Sequence, residues 1–260
     1  MQQQYQHITS KIQNYSLIIT LNRVDKKNAL DPIMIKNIQS ILDTNKNNHN
    51  IRVVVINSSS DVFCAGADIE YLNKMRNFSY EDNLNDSKQL MLLFKTILSY
   101  PKLIISKVSG AALGGGCGIV TASDIVFSTQ KSSFGYPEVK IGFTPALVSA
   151  FLIGKINLSK TRELLLSGKI INAEKAQKIG LINFVYPEDQ LNKEMDLFIN
   201  KIITETSPAS IHATKQILYT QLDMDNKLET AAEFNAKSRM SNDFKKGIQL
   251  FLEKKPHNWI

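Results

Sequence analysis

Leu103-Ile104-Ile105-Ser106-Lys107-Val108-Ser109-Gly110-Ala111-Ala112-Leu113-Gly114-Gly115-Gly116-Cys117-Gly118 decides how this chain folds. Residues 102–108 form an apolar run of the kind that makes a strand covered on both faces. Small residues then end the run. Three consecutive glycines let a backbone approach a ligand closely and present its N–H groups. An apolar helical stretch, residues 119–122, follows, and residues 125–128 make another buried strand.

The same rhythm precedes this segment. Residues 51–56, Ile-Arg-Val-Val-Val-Ile, read as a strand buried on both faces. Residues 16–21 read as a strand paired with residues 8–12 across a turn at Gln13-Asn14. Asp31-Pro32 is a helix start, a capping carboxylate followed by proline at the first helical position. Ile33, Ile35, Ile38, Ile41 and Leu42 would be its apolar face. Residues 80–100 are amphipathic, with Leu90, Leu93, Phe94, Ile97 and Leu98 on the apolar side, and Pro101 stops them. Strands alternating with helices imply an α/β fold with a parallel sheet and crossover helices. From Pro145 onward the pattern is mostly helical. Residues 160–166, 173–178, 189–204, 208–221 and 226–239 read as helix, with a short strand at 181–185.

The chain has 260 residues, 43% of them hydrophobic and 21% charged, enough for a sizeable core without disulfides or metals. Its 2 cysteines, Cys64 and Cys117, exclude a disulfide scaffold or a Cys-rich zinc site and fit a reducing compartment. The net charge is +7, but the lysines are scattered and no nucleic-acid signature is present, so no nucleic-acid partner is expected. The longest apolar stretch, residues 146–153, falls far short of the ~20 residues of a membrane span. The first residues show neither a basic start nor an apolar core, so a cytoplasmic protein with no membrane partner is expected. His7, His49, His212 and His257 have no metal-ligand spacing, and no metal is expected.

Three constellations carry chemistry. Phe63-Cys64-Ala65-Gly66-Ala67-Asp68 follows a strand and precedes a helix start near Asp68, where backbone N–H groups are free. The loop Gly110–Gly118 repeats that arrangement. It lacks the Gly-Lys-Ser/Thr ending of a phosphate loop and is out of register with Gly-x-Gly-x-x-Gly. Each segment is also compatible with ordinary strand-to-helix packing. As a pair, two strand ends with unpaired N–H groups suit an oxyanion hole for a thioester carbonyl that becomes an enolate. The third is Phe134-Gly135-Tyr136-Pro137-Glu138-Val139-Lys140-Ile141-Gly142. Its apolar neighbours are compatible with a raised pKa for Glu138 and an acid–base role, but taken by itself the segment reads as a surface glutamate paired with Lys140. Cys64 and Cys117 read as small buried thiols, and Asp124 as a structural hydrogen-bonding partner.

These segments, in this order, resemble the enoyl-CoA hydratase/isomerase (crotonase) superfamily. Asn22-Arg23 followed by Asn28-Ala29-Leu30 is similar to the family's Asn-Arg-Pro … Asn-Ala-Leu segment. Ser123-Asp124-Ile125, residues 164–168 with 173–182, and Phe251-Leu252-Glu253-Lys254-Lys255 are similar to later family segments. The resemblance spans about residues 17–255. It implies a spiral of ββα units, residues 1–200, with a helical C-terminal region, residues 201–260, that helps trimerise. It implies an acyl-CoA thioester as substrate, no metal or redox cofactor, and a homotrimer or dimer of trimers. Carried over by position, the N–H groups of Ala67 and Gly115 form the oxyanion hole and Glu138 is a catalytic glutamate. Asn28, Ala29, Ala65, Asp68 and Ile69 would lie along the CoA, with Gly114, Gly118, Tyr136 and Ala146 near the acyl group.

The departures from that pattern bear on the reaction. Hydratases of the family carry a first glutamate where this chain has Gly118. Residues 145–150, Pro-Ala-Leu-Val-Ser-Ala, replace the usual glycine-rich run, and Glu70 stands where a lysine is typical. The single-glutamate pattern resembles the methylglutaconyl-CoA hydratase-like branch of leucine breakdown. Gly118 and Ala146 would leave room for a branch at the β-carbon. The expected activity is therefore hydration or dehydration of a short or branched acyl-CoA such as 3-methylglutaconyl-CoA. The alternatives are a Δ3-Δ2 enoyl-CoA isomerase using Glu138 as its one proton shuttle, and a non-catalytic acyl-CoA binder.

Overall fold

The computed structural model describes residues 2–256, 258 and 259, so His257 lies outside the described residues. In chain order the early elements are β1 (Gln2–Tyr5), β2 (Ile8–Gln13), β3 (Ser16–Leu21), α1 (Pro32–Asn45), β4 (Val53–Ser58) and β5 (Val62–Cys64). Next come α2 (Ile69–Met75), α3 (Tyr80–Ser99), β6 (Leu103–Val108), β7 (Ala111–Leu113) and α4 (Gly115–Ala122). Then follow β8 (Ile125–Thr129), β9 (Ser133–Gly135), a 3-10 turn at Pro137–Ile141, α5 (Ala146–Lys155), α6 (Leu158–Ser167), β10 (Ile170–Asn172), α7 (Ala173–Lys178) and β11 (Phe184–Tyr186). Four helices close the chain: α8 (Glu188–Glu205), α9 (Pro208–Gln221), α10 (Met224–Arg239) and α11 (Asn242–Leu252).

One sheet has seven strands in the order β1-β2-β3-β4-β6-β8-β11. From β3 to β11 its pairings are parallel. The apolar run of β4 is divided between two cores. Val54 and Ile56 enter the main core, while Val53 and Val55 pack under α8 with Leu191, Met195 and Ile199. In β6, Ile104 and Ile105 divide in the same way. That is why both strands read as continuous apolar runs rather than as alternations.

A second sheet, β10-β9-β7-β5, is built from strands of three residues each. It was not legible in the sequence, because three residues are too short to show a period. The pairs β4–β5, β6–β7 and β8–β9 thus each supply a long strand to one sheet and a short strand to the other before the chain turns into helix. This is the ββα spiral.

Asp31 caps α1 by accepting a hydrogen bond from the Met34 N–H at 2.8 Å. The buried stripe is Met34, Ile38, Ile41 and Leu42; Ile33 is 42% exposed, which corrects the expected face. The stripe follows i, i+4, i+7 and i+8 from Met34, and Ile33 falls one residue off it. In α3, Met91 joins Leu93, Phe94 and Ile97 in the core, while Leu90 and Leu98 are half-buried at its edge. The expected strand at 181–185 starts later: Gly180 turns at φ +82°, Leu181 and Ile182 are core, and only Phe184–Tyr186 pairs with β8.

Two further elements were not anticipated, the polar edge strand β1 and helix α11. A Cβ on Gly247 would strike the carbonyl of Ile141, and one on Gly142 that of Asp243. Both glycines therefore let α11 press against the 3-10 turn. Helix α10 packs along α3 and α5. Among the described residues, no helix is long and apolar enough to cross a membrane.

Candidate active site

The first N–H donor is set by β5 and the turn after it. Gly66 has φ +102°, and a Cβ there would lie 3.2 Å from the Leu113 carbonyl oxygen, so the turn needs glycine. Leu30 N–H donates to Gly66 O at 2.7 Å and Asp68 N–H to Leu30 O at 2.9 Å. This parallel bridge engages the peptide groups on either side of Ala67. Alternation along extended backbone turns Ala67's own N–H away from Leu30. Asp68 caps α2 by accepting from the Tyr71 N–H at 3.1 Å, and it pairs with Arg23 Nη1 at 2.7 Å. Burial pushes its carboxyl up, but the Tyr71 N–H and the Arg23 guanidinium outweigh that and hold it below the usual range.

The second donor belongs to α4. Gly114 has φ +50° and ψ −125°, a conformation that favours glycine, and its N–H donates to Gly135 O at 2.9 Å. Gly115 opens the helix, so its N–H has no intrahelical carbonyl and sits at the positive end of the helix dipole. At the other end, Lys155 Nζ donates to the carbonyls of Val120 (3.2 Å), Thr121 (3.0 Å) and Ser123 (2.7 Å). Burial lowers its pKa to about 8. Gly116 holds the helix against β5, for a Cβ there would lie 2.6 Å from the Cys64 sulfur.

Glu138 projects from the 3-10 turn into the meeting point of these two loops. A Cβ built on Gly114 would lie 3.2 Å from Glu138 Oε1 and 3.6 Å from the Cα of Gly66. The residue as a whole is only half-buried, but its Oε2 is sealed from solvent and has no hydrogen-bond partner among the described residues. Burial raises the carboxyl pKa to about 7. The turn is fixed by the Phe143 N–H, which donates to the Glu138 carbonyl at 3.0 Å. A carboxyl group that titrates near neutrality beside two backbone donors can take and return a proton while those donors hold developing negative charge.

The remaining expected residues are placed as follows. Ala65 and Ile69 are half-buried around Ala67, and Ala29 is 8% exposed beside Leu30. Asn28 is fully buried, and its side chain is used internally. Its Oδ1 accepts from Arg23 N–H at 2.8 Å and its Nδ2 donates to Val62 O at 3.0 Å. Tyr136 is also fully buried, its hydroxyl 2.5 Å from Thr121 Oγ1, so it supports the site from behind. Ala146 faces a groove of about 550 Å³ between α5 and α10.

The room expected beside Gly118 is absent. A Cβ there would lie 2.6 Å from Phe94 Cζ and 3.2 Å from Val148 Cγ2. The space a side chain at 118 would need is filled by an aromatic ring from α3. The basis for a branch at the β-carbon next to Gly118 is thereby removed.

Sequence reasoning placed Phe94 in the core but had no signal that it faces Gly118, because the pairing crosses two helices. It also left Arg23 and Lys155 without a role. Arg23 ties Asp31 (3.4 Å), Asp68 (2.7 Å) and the Ala29 carbonyl (3.0 Å) into one loop support. Cys64 and Cys117 are fully buried, with thiols pushed up to about 12 by burial, so neither is poised as a nucleophile. Asp124 is structural: it accepts from Ile104 N–H at 2.7 Å and pairs with Lys215 at 2.6 Å.

Residues 11–260 match the profile of the family described as Enoyl-CoA hydratase/isomerase. The 2,3-dehydroadipyl-CoA hydratase of Escherichia coli is 31% identical over 242 residues, 92% of this chain and 92% of that protein. Among solved structures, an enoyl-CoA hydratase/isomerase from Xanthobacter autotrophicus superposes with a TM-score of 0.88 at 25% identity, covering 96% of this chain and 94% of that one. An enoyl-CoA hydratase from Bacillus halodurans gives a TM-score of 0.86 at 26% identity, covering 94% and 99%.

Proposed function

Because this chain belongs to the enoyl-CoA hydratase/isomerase family, we propose that Glu138 is the only acid–base group of an enoyl-CoA hydratase-like site whose oxyanion hole is the N–H pair of Ala67 and Gly115. The observation that carries the reading is the Glu138 carboxyl itself, sealed at Oε2, unpartnered there, and titrating at about 7 beside the Gly114 backbone.

In the hydration direction the carboxylate takes a proton from water while the water oxygen bonds to the β-carbon. The π pair of the double bond moves toward the thioester, giving an enolate whose oxygen accepts from the two N–H groups. Glu138 returns the proton to the α-carbon, and the carbonyl re-forms. Dehydration is the reverse. The overall reaction is redox-neutral. Ala29, Ala65, Asp68 and Ile69 are the proposed CoA contacts. The expected contact at Asn28 is not kept: it is fully buried, with both side-chain polar atoms bonded inside the fold, and it shapes the loop from behind. A homotrimer or dimer of trimers is the proposed assembly; the exposed Ile217, Leu218 and Leu222 at the end of α9 support it, and light scattering tests it.

Turnover in heavy-oxygen water tests the chemistry. The panel is crotonyl-CoA, 2,3-dehydroadipyl-CoA, 3-methylglutaconyl-CoA and trans-3-hexenoyl-CoA. Label in a 3-hydroxyacyl product, lost in Glu138→Gln, is the expected result. Undiminished labelling by Glu138→Gln overturns the assignment.

The filled space at Gly118 favours a second reading. Isomerisation of a Δ3 to a Δ2 enoyl-CoA needs one base that moves a proton between C2 and C4, and no bound water. Double-bond migration without label would establish it.

A further inference from the structure

We infer that Phe94 is a specificity-determining residue, which with Gly118 restricts this site to a single carboxylate. The inference rests on Glu138 being the acid–base group. Gly115 and Gly118 lie three residues apart on α4, so a side chain at 118 would project from the helix face that carries the oxyanion N–H. That projection ends in Phe94: a Cβ at 118 would stand 2.6 Å from Cζ and 3.0 Å from Cε1 of its ring. The ring cannot easily withdraw. It is fully buried and packs edge-on against Phe151, with centroids 5.2 Å apart. Val148 closes the remaining side at 3.2 Å.

The atoms nearest to a side chain at 118 are therefore apolar and close-packed, from Phe94 and Val148. On this reading Glu138 carries the proton transfers, on one face of the bound acyl group. Restoring a carboxylate at 118 by itself cannot create a two-carboxylate site, since the ring already occupies its space. The two positions form a size-complementary pair and must change together.

The test is a double-mutant cycle of Gly118→Glu, Phe94→Ala and the combined variant, with melting curves, acyl-CoA binding and turnover against pH on crotonyl-CoA. Gly118→Glu alone is expected to lose melting temperature and at least tenfold in kcat. The combined variant is expected to recover both, and its pH profile should gain a second limb that neither the parent nor Phe94→Ala shows. Wild-type melting and turnover in Gly118→Glu alone would overturn the inference. A folded combined variant no better than Gly118→Glu would do so too. If the combined variant does not fold, Phe94→Leu with Gly118→Asp is read by the same criteria. Undiminished turnover in Glu138→Gln would instead remove the underlying acid–base reading, so the two failures are distinguishable.

Discussion

Glu138 rests its carboxyl group against Gly114, so closely that a Cβ on Gly114 would lie 3.2 Å from Oε1. Gly114→Ala should move the carboxyl, and the methyl would also crowd Gly66, whose Cα is 3.6 Å away. The backbone at φ +50° and ψ −125° adds roughly 1–3 kcal/mol of strain for a side chain. Displacing the acid–base group from its position costs on the order of 100-fold in kcat. Steady-state kinetics of the purified variant check this; a parent-like kcat would contradict it.

The pH dependence follows from the same carboxyl. As the base for water it must be ionised, so kcat/KM for hydration should rise with pH through a single limb at about 7 and then stay level. In the dehydration direction Glu138 acts first on the α-proton, again as a base, and the limb should have the same sign. A profile without a limb between pH 6 and 8 would argue against Glu138.

Stability should move in the opposite sense. The carboxyl titrates at about 7 in the folded chain against a usual 4.5, so the folded state holds its proton more tightly. The favourable contribution of the neutral form is complete below pH 4.5 and is lost as pH rises through about 7. That shift corresponds to about 3 kcal/mol. Urea unfolding at pH 5 and pH 8 should show Glu138→Gln more stable than the parent at pH 8, with the difference shrinking at pH 5.

Among the described residues of α9, Lys215 is the buried one, at 7% exposure, and it pairs with Asp124 at 2.6 Å. It also donates to the Lys102 carbonyl at 3.2 Å. Lys215→Met would remove the nearest cation from Asp124, whose side chain is 21% exposed and keeps its Ile104 N–H bond and the more distant charge of Lys155, and should cost about 1–3 kcal/mol. Chemical denaturation measures this; a loss below about 1 kcal/mol would put the pair among weak surface bridges.

Arg23 supports the loop proposed to hold CoA without being placed on the reacting atoms. Arg23→Ala should release Asp68 and raise KM for acyl-CoA about tenfold, the worth of one charge-assisted hydrogen bond, with a smaller change in kcat. A large fall in kcat at unchanged KM would assign Arg23 a different role.

Much of the fold was legible in local pattern. The apolar runs of β4 and β6 announced strands covered on both sides, and Asp31-Pro32 announced α1. The two glycine-bearing loops were legible as places of close backbone approach, whereas Glu138 taken by itself read as a surface glutamate and stood out only through the resemblance that the three segments carry together. The three-residue strands of the second sheet left none, since pairing with one another, rather than their own periodicity, makes them strands. Helix α11 does carry local marks, a Ser241 cap and the apolar stripe of Phe244 and Ile248, and what the sequence leaves out is its docking, which depends on Gly142 and Gly247 letting two backbones touch.

The sequence by itself determined the alternation of strands and helices, the flexible backbone at Gly114 and Gly66, and the presence of a glycine rather than a carboxylate at 118. Those properties are set by residue type and near neighbours. Only the tertiary structure decided that Glu138 loses its solvent and that Phe94 fills the space at Gly118. Burial and steric exclusion belong to surfaces that meet across the molecule. A glycine in a sequence reads as an absence, whereas in the packed core that space is taken by whichever side chain the neighbouring helix delivers.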